Sequence, residues 1–111
     1  MKILALEKES AGATAGQFQP LLKEEARCVW ELQQSGFLRE IYFTAGDHSA
    51  VLILECEDVN TARQTLAALP LVNAGLIRFD LIPLVPYDGF ARLFERTDNS
   101  LNDGEVSHGP D

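Results

Sequence analysis

With 111 residues, 46% of them apolar, the chain is sized for one domain with a real core, which argues against disorder over most of its length. Its net charge of −8, from 17 acids against 9 bases, repels a phosphate backbone and sets nucleic acid aside as a partner. No apolar run approaches the roughly 20 residues of a membrane span, and MKILALEKES lacks the apolar segment and cleavage site of a signal peptide, so a cytoplasmic protein is expected.

Lys2 to Glu7 alternate weakly around Ile3, Leu4 and Leu6 and predict a first strand. Ser10 to Gln19 is dominated by small residues without a period and reads as a loop, and the spacing of Gly12 and Gly16 fits no nucleotide motif. Pro20 suits the first position of a helix that runs to Ser35 and closes on Gly36. Stepping about 100° per residue puts Leu21, Leu22, Cys28, Val29 and Leu32 on one face, with Glu25 at its centre and Trp30 to one side. A carboxylate inside an apolar stripe must find a partner or hold its proton more tightly than usual. Cys28 and Cys56 are too few for a disulfide framework and lack metal-ligand spacing, so both read as small core residues in a reducing compartment.

The strongest signal is a hairpin over Phe37 to Glu57, turning at Gly46-Asp47-His48-Ser49. Its first strand puts Phe37, Arg39, Ile41 and Phe43 on one face and Leu38, Glu40, Tyr42 and Thr44 on the other. Its second strand is apolar on both faces and must be covered on both. Val51 and Ile53 are expected to face the chain's own helices. Leu52 and Leu54, with Glu40 and Tyr42, are expected to face a partner subunit or a pocket.

Asp58 is a good N-cap for a helix to about Leu69, with Val59, Ala62, Leu66 and Leu69 inward and Pro70 as its stop. Asn73 to Gly75 form a turn before a last strand from Leu76 to Ile82, ended by Pro83 and Pro86. Phe90, Leu93 and Phe94 suggest a short docking segment. The expected division is a domain over 1–96 and an acidic polar tail over 97–111. Strand, helix, strand, strand, helix, strand is the α+β ferredoxin-like βαββαβ order, a four-stranded antiparallel sheet with two helices on one face. The apolar open face predicts a homodimer or higher oligomer, closing face to face as an α+β barrel.

From Glu25 to Leu84 the chain resembles the muconolactone isomerase family. The matching points are Glu25, Glu31-Leu32-Gln33 closing on Gly36, Gly46 ten residues later, Leu69-Pro70-Leu71, and Pro83-Leu84. Gly36 through Leu71 fits without a gap, and Val72 to Pro83 is about two residues longer than the family pattern. The resemblance implies a dimeric α+β barrel and a pocket between sheet and partner. It also implies a cofactor-free, metal-free isomerase that shifts a double bond in an unsaturated lactone by removing and returning a proton. Family enzymes tend to carry histidine and tryptophan where this chain has Glu40 and Tyr42, and polar residues at Ala50 and Leu52.

Such chemistry needs a base beside a carbonyl and a group that stabilises the enolate. Glu25 and Glu40 are the candidate bases, and Tyr42 or Arg78 could hydrogen-bond the oxyanion. Leu52 and Leu54 would line the pocket for a small apolar or carbonyl-containing ligand. Against this, Glu25 could pair with Arg39 or Arg78 across helix and sheet, Glu40 could be solvated or an interface partner, and Tyr42 could be interface packing. His48 reads as a solvated turn residue, His108 has no assigned role, and one histidine with scattered acids makes no metal site. Two further readings stay open: a non-catalytic ligand-binding or assembly module, and a cofactor-free monooxygenase-like barrel.

Overall fold

The computed structural model describes residues 1–95. The expected tail over 97–111, with His108, lies outside them. Four strands, β1 (Lys2–Glu9), β2 (Leu38–Phe43), β3 (Ala50–Glu55) and β4 (Ile77–Leu84), form one antiparallel sheet in the order β2-β3-β1-β4. The helices are α1 (Ala15–Phe18), α2 (Leu22–Gln34), α3 (Val59–Ala67) and α4 (Pro70–Asn73). This is the expected α+β ferredoxin-like arrangement, elaborated by two short helices.

The expected loop before α2 is structured: Gln17 closes one turn by accepting from the Thr14 N–H at 2.8 Å, and a 3₁₀ turn over Gln19–Leu21 carries Pro20. α2 therefore starts two residues later than Pro20, and ends before Gly36, whose φ of +88° suits glycine there. Asp58 caps α3 as expected, its carboxylate accepting from the Thr61 N–H at 2.8 Å. Pro70 stops α3 and also opens α4 as its first residue. β4 runs through Pro83 to Leu84, because β4 is an edge strand where a missing amide costs no ladder bond. Phe90, Leu93 and Phe94 sit in a 3₁₀ segment but stay largely exposed, so they do not dock on their own subunit.

The core fixes which sheet face is which. Ile3 pairs with Leu54 and Ala5 with Leu52, and all four are buried with Leu38, Ala62, Leu66 and Leu69. Tyr42 pairs with Val51 and Glu40 with Ile53, on the opposite, open face beside Leu4 and Leu6. The expected facing of β3 is thus reversed: Leu52 and Leu54 meet the helices, while Val51 and Ile53 face out. A bulge explains part of this. Leu38 pairs with Leu54 but Glu40 with Ile53, so Arg39 is an extra residue, and Leu38 shares its face with Ile41 and Phe43 rather than with Glu40.

Candidate active site

A cleft of about 600 Å³ opens between α2 and the helix-side face of the sheet. β1 supplies Glu7 and Glu9 to it, β3 supplies Ala50 and Leu52, and β4 supplies Ile77 and Phe79. α2 contributes Glu25, Val29, Trp30 and Gln33, with Leu69 and Leu71 below. The sheet itself makes the room. β1 and β3 pair only as far as Leu6 and Val51, whereas β1 stays paired with β4 to Glu9 and Ile77. Beyond Leu6 the β2–β3 hairpin leans away from β1, and the space is left to the cleft.

α2 does not close it, since no residue of α2 is fully buried and Trp30 is 59% exposed at the rim. The hairpin forms the other lip, where His48, at a φ of +60°, stacks on Phe43 with ring centroids 3.9 Å apart. The lining is mainly apolar and aromatic and contains no lysine or arginine among the described residues.

Glu25 is the half-buried carboxylate of this cleft. Its Oε1 accepts from the Leu71 backbone N–H at 2.9 Å, at the start of α4. Burial pushes its carboxyl above the usual glutamate range, the Leu71 N–H pulls it back, and the negative charge of Glu7 pushes it up again. The alternative ion pair is not formed. Arg39 donates through Nε to the Gly36 carbonyl at 2.6 Å, and Arg78 reaches Asp80 at 3.8 Å on the open face. Glu25 is therefore a half-buried acid answered by one amide and, among the described residues, by no cation.

Glu7, which periodicity did not single out, is the second carboxylate. Its Oε1 accepts from the Ala50 N–H at 2.6 Å, where β1 and β3 part. A signal was present: Glu7 continues the inward phase of Ile3 and Ala5, so it is an acid on a core-facing position, as Glu25 is.

The other predicted residues are not brought to Glu25. Glu40 and Tyr42 lie on the open face, where the Tyr42 hydroxyl donates to Glu40 Oε1 at 2.7 Å. That bond and the Glu40 charge raise the Tyr42 phenol above its ordinary range. Arg78 shares that face. Leu52 reaches the cleft from the sheet, and Leu54, fully buried, packs in the core outside it. No group of three or more histidine, cysteine, aspartate or glutamate residues suited to a metal ion occurs among the described residues.

The family profile described as muconolactone delta-isomerase matches residues 6–88. The chain belongs to the muconolactone delta-isomerase family. Solved structures agree on the fold of this muconolactone isomerase-like chain. A crystal structure of muconolactone isomerase is 19% identical, with a TM-score of 0.65 over 79% of this chain and 92% of that one. A 5-chloro-2-hydroxyhydroquinone dehydrochlorinase from Burkholderia phenoliruptrix, in complex with 2,5-dihydroxybenzoquinone, is 17% identical, with a TM-score of 0.59 over 80% of this chain and 98% of that one. No curated protein matches in sequence. The family match spans Glu7, Glu25 and Leu52, so the cleft lies within the part of the chain that defines the family. No helix of the described residues is long and apolar enough to cross a membrane.

Proposed function

We propose that this chain is a cofactor-free isomerase that moves a double bond in a small unsaturated lactone or related cyclic carbonyl compound, with Glu25 as the base. One observation carries the reading: a carboxylate with raised proton affinity stands in an apolar cleft of ligand size, held by an amide rather than by a cation. Ionised Glu25 removes a proton from carbon beside the carbonyl, leaving an enolate. The protonated carboxyl then returns the proton to the far end of the conjugated system, and the base ends as it began. Trp30 and Gln33 line the cleft and carry N–H groups, and on this reading they are assigned to the oxyanion. Leu52, Val29 and Phe79 exclude water around the reacting carbons.

Glu40, Tyr42 and Arg78 have no part in this scheme. The open sheet face that carries them, with Leu4, Leu6 and Val51, is read instead as the surface on which two copies associate. A monomer in size exclusion with light scattering would remove that second reading.

The test is deuterium uptake from solvent into an unsaturated cyclic lactone, followed by mass spectrometry. Wild type exchanges the proton beside the carbonyl, and Glu25→Gln loses about 10²–10⁴-fold of that rate. Equal exchange in the variant would end the assignment of Glu25. Melting shifts with 2,5-dihydroxybenzoquinone, without turnover of any lactone or enone, would make the cleft a binding site only.

A further inference from the structure

Two cavities meet at the end of β1. Besides the cleft, a gap of about 390 Å³ lies between the end of β1 and the hairpin, lined by Lys8, Thr44, Asp47 and Ser49 among others. Glu7, Glu9 and Ala50 line both spaces. Glu7 thus stands where the sheet divides, and its carboxylate replaces the ladder bond that Ala50 would otherwise seek from β1. An acid is a costly choice for a strand position on the core side, since an asparagine or glutamine oxygen would accept the same amide without a charge. The charge strengthens that hydrogen bond and also sets a carboxylate on the wall of the cleft that holds Glu25.

We infer that Glu7 is a positioning residue for the isomerase chemistry, its carboxylate acting across the shared cleft to keep the abstracted proton on Glu25 until it is returned. The inference rests on the reading of Glu25 as the base. An isomerase that returns its proton must not lose it to solvent while the enolate exists, and a neighbouring carboxylate disfavours that loss. The same charge discourages Glu25 from ionising early, so the device works only if the base is not left wholly protonated at the working pH. The amide of Leu71 supplies that counterweight from α4.

The charged and titratable groups that face Glu25 are few. β1 brings Glu7 and Glu9, the hairpin brings His48, β3 and β4 bring none, and α4 brings only its amide. The coulombic influence on Glu25 comes from Glu7. Lys8, between the two acids, alternates to the opposite face of β1.

The test is a carboxyl-carbon NMR titration of Glu25 in the full chain, for wild type, Glu7→Gln and Glu7→Asp, beside the pH profile of kcat/KM. Glu7→Gln keeps an acceptor for the Ala50 amide but removes the charge. It is expected to move the Glu25 midpoint and the acid limb of the profile to lower pH, and to raise the share of solvent deuterium in product. Glu7→Asp, which restores the charge, moves the midpoint back toward wild type. An unmoved midpoint in Glu7→Gln would overturn the inference, and a loss of melting temperature with that unmoved midpoint would assign Glu7 to strand pairing alone. If the midpoint moves but Glu25→Gln still isomerises, the charge coupling stands while the assignment of Glu25 as the base and the proton-holding role of Glu7 fall together. If Glu7→Gln does not fold, Glu7→Met, uncharged and of similar length, takes its place in the same titration; a Glu25 midpoint moved to lower pH supports the inference and an unmoved one overturns it.

Discussion

Glu25→Gln should move activity and stability in opposite directions. The folded protein holds the Glu25 proton more tightly than the unfolded chain does, because burial outweighs the Leu71 amide. Below the ordinary glutamate range both states are protonated and Glu25 costs the fold nothing. As pH rises through the folded midpoint, the unfolded state has already released its proton, so stability is lost with rising pH. Glutamine does not titrate, and its amide oxygen can still accept from Leu71. The variant should therefore match wild type at about pH 4 and exceed it at about pH 7. The group is only half-buried, so solvent screening keeps the gain below about 1 kcal/mol, a rise of a few degrees in Tm for a domain of this size. Urea unfolding at both pH values and one fixed protein concentration reads it. A variant that is less stable than wild type at about pH 7, or a difference that does not change with pH, would refute the reasoning and leave Glu25 as an ordinary packing residue.

The face assignment makes a second prediction. Leu54→Ala, at a fully buried site, should cost about 2–5 kcal/mol whatever the protein concentration, while Ile53→Ala on the open face should mainly weaken association; the reverse pattern in concentration-dependent unfolding would invert the sheet. Glu40→Gln, across the sheet from the cleft, should leave isomerisation within about threefold, well short of the 10²-fold loss expected of a general base, and a loss of that size in steady-state assays would move the chemistry to the open face. Asp58→Ala removes the acceptor for the Thr61 amide and should cost about 1 kcal/mol by urea unfolding with kcat unchanged.

Much of the fold was legible because its signals are local. The turn at Gly46-Asp47-His48-Ser49, the cap at Asp58 and the stop at Gly36 each act through the backbone of a few residues, and the structure keeps all three. The phase of the hairpin was not legible, for a tertiary reason. β3 is apolar on both faces, so alternation cannot say which face meets the helices, and the bulge at Arg39 breaks the phase of β2 between Leu38 and Ile41. Glu25 stood out in the sequence because a single acid interrupts an apolar helical stripe. Glu7 did not, because its role depends on β1 and β3 separating after Leu6 and Val51, which no local pattern records.

The same separation explains why this fold has a cleft. α3 anchors one half of the sheet by burying Ala62 and Leu66, with Leu69 just beyond its end. α2 lies over the other half and buries no side chain completely, although its stripe is long enough to do so. A helix seated as deeply as α3 would have filled the space with Leu22 and Val29, which here line the cleft. Instead Leu22 and Trp30 stay at the rim, and Glu25 is left part-way between core and solvent. Under the reading of Glu25 as the base, that intermediate depth is what returning the proton requires. Full burial would keep the carboxyl permanently protonated, and full exposure would let water take the proton before the enolate could. On the reading of Glu25 as the base, the packing left open under α2 holds one carboxylate at a depth where its charge state changes during the proposed cycle.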